Sequence, residues 1–455
     1  MKEVICSKCL PNSGRQNQSR MRSLFRPNPF KTGLLICIAL VCVTGMAWAQ
    51  AGRLDSTFAT KGIFTLNSIG EQGGSTKAAL QPDGKIVFAA ASGDPQQANN
   101  GIALVRLNTG GTPDTSFGTS GVVVFGNQGT VPIGVVIQPD GKILVGSAAG
   151  QNVDGGGGFA LARFNSNGSF DNSFGNGGHL QFVPFGTAIS AALALQPDGK
   201  ILMTGSNALA RLNSNGQLDT SFGTGGLSVL PFSGAGAIVL QSDGKILIAS
   251  VGEGFNPSGS GGTIVRFNSN GTADRTFGLF GQVASIASGG LFDPSGVAPV
   301  SSIVFQTDSK FIVAGTIASK LINPPGAIHT GFGLVRYNPN GSIDTSFGTR
   351  GGVLTNFGSN PNAIAFALAI QSNGDIIAAG QAGSSLALSR YSSAGKLDTA
   401  FGSGGTVTTS LGSNPAAISS LVLQSDGKIA AAGSIFTVDN AGFHAQSAVA
   451  RYLGQ

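Results

Sequence analysis

After residue 49 the 455-residue chain has no cysteine and no tryptophan; Cys6, Cys9, Cys37, Cys42 and Trp48 all precede that point. No disulfide can form in the remainder, so its stability must come from burial alone, and roughly 400 residues suffice for that. Cys6-x-x-Cys9 has no second cysteine pair to complete a metal site. Charge is scarce as well, at 11% of residues. Lys and Arg number 27 against 21 Asp and Glu, but seven of those bases and one acid lie in the first 49 residues, which leaves 20 against 20. A neutral body gives no electrostatic reason to expect nucleic acid as a partner. The apolar run Gly33–Met46 is 14 residues long, short of the ~20 that a spanning helix needs. Within the repeat at 334–400 no window shows helical periodicity.

The first 49 residues read as a secretory signal peptide. Lys2, Lys8, Arg15, Arg20, Arg22, Arg26 and Lys31 come first, then the apolar run, then Ala47-Trp48-Ala49 as a small-x-small cleavage pattern. Met21 is an alternative start. Cleavage after Ala49 implies a secreted or periplasmic product with no membrane span, and residues 50–455 form one domain.

Catalytic signatures are missing too. His179, His329 and His444 are scattered, and there is no Ser-His-Asp order, HExxH, phosphate-binding loop or nucleophile elbow. The glycine runs at 155–158 and 259–262 precede no helix, which a phosphate cradle requires.

What the chain does contain is repetition. Gln81-Pro82-Asp83-Gly84-Lys85 recurs from Gln138, Gln196, Gln241, Gln306, Gln371 and Gln424. A second signature, Leu-Asp-x-x-Phe-Gly in its fullest form, interleaves with it, its Asp at 55, 114, 171, 219, 274, 344 and 398. Both series advance 343 residues over seven copies. A period of that size marks a solenoid or a propeller. Each repeat reads as four short strands punctuated by Gly, Asn and Asp. The x-Pro-Asp-Gly turn presets the first residue with proline, bonds amides with Asp and accepts positive φ at Gly. The crossing segment is expected to join one four-stranded unit to the next, its Leu and Phe wedged between sheets and its Asp capping amides. Asp83, Asp140, Asp198, Asp243 and Asp426, with Asp55, Asp114, Asp171, Asp219, Asp274, Asp344 and Asp398, are therefore structural by repetition. The recurrent Arg106, Arg163, Arg211, Arg266, Arg336, Arg390 and Arg451 are expected to pair with the crossing Asp. Two turns depart from the pattern, Thr307-Asp308-Ser309 and Asn373-Gly374-Asp375, and are expected to differ in geometry.

The last repeat stops at Arg451-Tyr452, and the segment it lacks stands at Leu54-Asp55-Ser56-Thr57-Phe58. A ring needs such complementary ends; an open solenoid does not. The expected fold is all-β, a seven-bladed β-propeller of four-stranded antiparallel blades closed where N- and C-termini meet. Which blade the N-terminal strand joins is open. The x-Asp-Gly-Lys-Ile and Leu-Asp-x-x-Phe-Gly-x-x-Gly pattern resembles the delta-60 repeat proteins over residues 52–452. The resemblance implies a propeller in an extracytoplasmic bacterial setting and no established activity.

The two signatures fall on one face of such a ring, and connections of variable length fall on the other. Recognition usually sits in variable loops on a rigid frame. Candidate ligand-face residues are Glu71, Asp94, Asp154, Glu253, Phe255, Asp293, His329, Asp439 and His444. No catalytic residue, metal ligand or cofactor is assigned. The Asn-x-Asn-Gly-x-x-Asp element, as at 165–171, distantly resembles a calcium loop, but one carboxylate per loop suits an Asx turn better. The expected function is a non-enzymatic binding or scaffold module for an extracellular protein or cell-surface glycan. The alternative is a propeller enzyme acting on extracellular polysaccharide, with two odd acids paired above the channel.

Overall fold

The computed structural model describes residues 51–66, 76–92, 101–126, 130–148, 159–182, 191–205, 207–232, 234–250, 262–284, 300–320, 328–358, 362–439 and 442–454. Seven four-stranded antiparallel sheets account for all 28 strands among the described residues. Blade 1 runs outward from the axis as β2 (Thr76–Leu80), β3 (Ile86–Ser92), β4 (Gly101–Leu107) and β5 (Val122–Phe125). Blade 2 is β6 (Val131–Ile137), β7 (Ile143–Ala148), β8 (Phe159–Phe164) and β9 (His179–Phe182). Blade 3 is β10 (Leu193–Leu195), β11 (Ile201–Thr204), β12 (Ala208–Leu212) and β13 (Leu227–Val229). Blade 4 is β14 (Ala235–Leu240), β15 (Ile246–Ser250), β16 (Thr263–Phe267) and β17 (Gln282–Ala284). Blade 5 is β18 (Ser302–Phe305), β19 (Phe311–Lys320), β20 (Ile328–Tyr337) and β21 (Gly352–Thr355). Blade 6 is β22 (Ala363–Ile370), β23 (Ile376–Ala382), β24 (Ser385–Tyr391) and β25 (Thr406–Thr409).

Blade 7 settles how the ring closes. Its strands are β26 (Ala416–Leu423), β27 (Ile429–Asp439), β28 (Gly442–Tyr452) and, outermost, the N-terminal β1 (Ile63–Leu66). Ile63 pairs with Ala450 and Leu66 with Ser447. The first strand of the chain thus completes the last blade. The innermost strand of blade 1 then packs beside that of blade 7, where Thr76 N–H meets Ser419 Oγ at 3.3 Å.

One expectation needs correcting. The Leu-Asp-x-x-Phe segment does not join units; it links the third and fourth strands of a single blade, as between β4 and β5. Its Phe is nevertheless an inter-blade wedge. Phe58, Phe117, Phe174, Phe222, Phe277, Phe347 and Phe401 are all fully buried, one in each of seven core clusters. Phe117, for example, sits with Val87 and Leu104 of blade 1 and Val135, Ile143 and Val145 of blade 2. The middle strands lie between neighbouring blades, so they read as unbroken apolar runs rather than alternating ones: all seven residues of β4 are buried. Burial of each wedge is worth about 2–3 kcal/mol.

The two irregular turns also differ from expectation. Both keep the common geometry. Gln371 N–H donates to Asp375 O at 2.8 Å, as Gln81 N–H does to Lys85 O at 2.9 Å. Asn373 Oδ1 accepts from Asp375 N–H at 3.0 Å, taking the role that Asp83 Oδ1 plays toward Lys85 N–H at 3.2 Å. Ser309 adopts φ 63°, where five of the other copies have glycine near 82°. The ladder on either side fixes the turn, so serine accepts a left-handed conformation at a cost of about 1 kcal/mol.

Candidate functional site

Each blade carries one polar staple on the face of the Asp-Gly-Lys turns. In blade 1, Asp114 lies just after the third strand. Its Oδ2 accepts from Arg106 Nε at 2.8 Å and lies 2.9 Å from Lys85 Nζ. Its Oδ1 accepts from Ser116 N–H at 3.1 Å and Ser116 Oγ at 2.7 Å. The Arg106 guanidinium stacks 4.6 Å over the Phe117 ring. Arg106 Nη1 donates across the blade boundary to the carbonyl of Ser166 in blade 2. The turn lysine, the third-strand arginine and the serine of the crossing segment thus converge on one carboxylate, and the arginine carries the link onward.

The same link repeats around the ring. Arg163 reaches Ser214 O, Arg211 reaches Ser269 O, Arg266 reaches Pro339 O, and Arg336 reaches Ser393 O. Arg390 reaches Gly454 O, and Arg451 returns to Thr109 O of blade 1. The expected Arg–Asp pairing is present in every blade, at 2.7–2.9 Å. In blade 7 the pair joins the two ends of the chain, Arg451 to Asp55. Blade 6 is the weakest copy. Asp375 stands where the lysine would be and Ala400 where the hydroxyl would be, and the Asp398 side chain is 27% exposed against 5% for Asp55.

The Asn-x-Asn-Gly element folds as an Asx turn. Asn167 Oδ1 accepts from Ser169 N–H at 3.0 Å, and the Asp171 oxygens are engaged by Ser173, Arg163 and Lys142. Burial opposes ionisation of Asp171, but hydrogen bonds from Ser173 and the charges of Arg163 and Lys142 outweigh it and hold its carboxyl at about 2. The hydroxyl of Ser116, against burial and with Lys85, holds Asp114 well below the usual carboxylate range. Asp219 and Asp344 are lowered in the same way. A carboxylate lowered in the folded state adds stability above its unfolded value near 3.8, and that stability fades as pH falls through the folded value. The domain is therefore expected to hold one melting temperature from pH 7 to about 5 and to lose it steeply between about pH 4 and 2. Asp171 alone accounts for about 2 kcal/mol of that loss. Thermal melts across a pH series check this; a midpoint unchanged at pH 2 contradicts it.

The opposite face carries the connections between second and third strands and between successive blades. Glu71, Asp94, Asp154, Glu253, Phe255 and Asp293 lie outside the described residues. His329 stands in β20 opposite Ser319, and Asp439 in β27 opposite Gly442. His444 stands in β28 opposite Thr437 and is half-buried. These three therefore belong to two long hairpins, on blades 5 and 7, with blade 6 between them. His179 lies on blade 2 against Phe170, at 4.2 Å, and burial pushes its imidazole down. Sequence reasoning missed the lysine's part in the staple and the arginine's reach to the next blade. It also passed over Lys77, the one ionisable residue in the seven innermost strands.

Residues 81–117, 138–174, 196–222, 241–277 and 326–347 match the family described as "Domain of unknown function (DUF5122) beta-propeller". All five segments end at a wedge phenylalanine, and four begin at a turn glutamine, so what matches is the staple unit. Those five segments are similar to the DUF5122 beta-propeller repeat. No curated protein matches it. Among solved structures, the polysaccharide lyase Uly1 is 11% identical, covering 85% of this chain and 90% of its own, with a TM-score of 0.44. The GH93 alpha-L-arabinofuranosidase of Fusarium graminearum is 9% identical, covering 86% and 98%, with a TM-score of 0.42. Prolyl oligopeptidase B from Galerina marginata is 12% identical, covering 84% and 51%, with a TM-score of 0.44.

Proposed function

We propose that residues 50–455 form a secreted or periplasmic, non-enzymatic binding or scaffold module of the delta-60 repeat type, released by cleavage after Ala49. Its variable face engages an extracellular protein or a cell-surface glycan. The division between the two faces carries this reading. One face repeats the same staple seven times and is committed to holding the ring. The other varies from blade to blade, and among the described residues two pairs of strands there are longer than the rest. β27 and β28 run 11 residues each and β19 and β20 run 10, whereas β23 and β24 run seven and turn at Gly383-Ser384. A rigid frame with unequal loops on one side is a recognition scaffold.

The test is an array of glycans and envelope proteins probed with the mature domain. It is repeated with the β19–β20 and β27–β28 hairpins trimmed to the length of β23–β24. Binding by the intact domain that the trimmed one loses is the expected result. Turnover of a polysaccharide, abolished by replacing one of Glu71, Asp94, Asp154, Glu253, Asp293 or Asp439, would overturn the reading in favour of an enzyme.

A further inference from the structure

The bore of the ring is lined by the innermost strands, and one level of it is unlike the others. Four residues before each turn glutamine, the seven blades present Lys77, Gly134, Ala192, Ala237, Ser302, Ala367 and Ser420. These positions are equivalent in register: Lys77 pairs with Ala89, Gly134 with Gly146, Ala237 with Ala249, Ser302 with Ala314, Ala367 with Ala379 and Ser420 with Ala432. In blade 3, Ala192 O accepts from Thr204 N–H in the same way. Six of the seven are small, and Lys77 is the one long side chain among them.

The serines show where a side chain at this level points. Ser420 Oγ accepts the N–H of Ala78 at 3.2 Å, and Ser302 Oγ accepts the N–H of Leu368 at 3.1 Å. Both receive an amide from the innermost strand of the following blade, one residue closer to the turn. Strand alternation turns the matching amides of Val135, Leu193, Ile238, Ile303 and Leu421 into the same bore. The blades before them offer Lys77, Gly134, Ala192, Ala237 and Ala367, none of which has an acceptor. Lys77 shares the side of β2 that faces blade 2, where Ala79 packs, whereas Ala78 and Leu80 face blade 7.

We propose that this level of the bore is a site for a small anion, of halide or carboxylate size, held by the Lys77 ammonium and the amides around it. The ammonium has no carboxylate partner among the described residues, and no other innermost strand carries an ionisable side chain. Lys77 is half-buried, and burial pushes its ammonium below the ordinary lysine range. A cation with no carboxylate partner among the described residues, beside amides that the preceding blade does not cap, is an arrangement that an anion completes.

The proposal does not depend on what the variable face binds, and array binding by a Lys77→Met domain tells the two apart. The test titrates sodium chloride, acetate and phosphate separately into the mature domain, its Lys77→Met variant and its Lys77→Arg variant, in a zwitterionic buffer. For the parent and for Lys77→Arg, the melting temperature should rise by about 1–3 °C for each tenfold increase in the preferred anion. Lys77→Met should show no such rise, and should melt no lower than the parent without anion. The parent's response should fade as pH is raised and Lys77 loses its proton. The anion that acts separates a halide site from an oxyanion site. Crystals soaked in bromide give a readout that needs no variant, an anomalous peak against Lys77 Nζ. Equal responses in parent and Lys77→Met, or a bore empty of bromide with no anion response in the parent, would overturn the site.

Discussion

A chain starting at residue 67 is expected to have no stable folded state. Residues 51–66 are short, but they hold three parts of the ring closure. Phe58 is the wedge between blades 7 and 1, packed with Val449 and Ala432 on one side and Phe88 and Val105 on the other. Its loss costs about 3–5 kcal/mol. Asp55 is the partner of Arg451, and a buried guanidinium left alone costs a further ~3–5 kcal/mol. β1 covers the stretch Ser447–Ala450 at the edge of β28, so its removal opens that stretch to pairing with other chains. The sum of the first two terms rivals the 5–15 kcal/mol that typically holds a domain folded. Size-exclusion chromatography and circular dichroism of residues 67–455 should show aggregate or loss of native signal. Adding a peptide of residues 51–66 should restore a cooperative melt. A monomeric truncated domain that melts at the parent temperature would mean that the ring does not depend on its seal.

The repeats made the ring legible because they are local. A Pro-Asp-Gly turn, a wedge phenylalanine and an arginine eight residues before its aspartate are all short-range patterns, and seven copies average out chance. The phase of the blades was not legible for the opposite reason. A repeat has no marked beginning, and whether β5 belongs with β4 or with β6 depends on hydrogen bonds between strands, which no single repeat records. The crossing segment was misplaced between units on that account. The turns at Ser309 and Asn373 were expected to deviate because their residues do, but the ladder on each side sets the turn, and the residues conform. The staple was half visible. Arg and Asp sit at a fixed spacing, whereas the lysine meets that Asp only once strands two and three are side by side. Lys77 was readable in principle, as one charge among the innermost strand segments. No repeat marks it, because Lys77 is a place where repetition fails. The candidates on the variable face rest on residues outside any repeat, where neither period nor spacing gives guidance.

Replacing Arg451 with methionine should destabilise the domain by about 3–5 kcal/mol, and the same change at Arg390 should cost distinctly less. The two arginines hold equivalent positions, so their surroundings decide the difference. Arg451 is buried, and its partner Asp55, 5% exposed, also accepts from Thr57 and lies 3.9 Å from Lys428. Without the guanidinium, Asp55 keeps its Thr57 donors but only a distant lysine as counter-charge, and it cannot turn to water. Asp398 never had a lysine or a side-chain hydroxyl, yet at 27% exposure it can hydrate when Arg390 is gone. Its loss is nearer the ~1–2 kcal/mol of ordinary hydrogen bonds. Each variant also forfeits one inter-blade carbonyl contact and one ring stack, so those terms cancel in the comparison. Adding Asp55→Asn to Arg451→Met removes the stranded charge and should recover about half of the loss. Denaturant midpoints at pH 7 measure all three proteins on one scale. If Arg390→Met proves the more damaging, or if Asp55→Asn deepens the Arg451→Met defect, then the staples act by packing over phenylalanine and not by compensating buried charge.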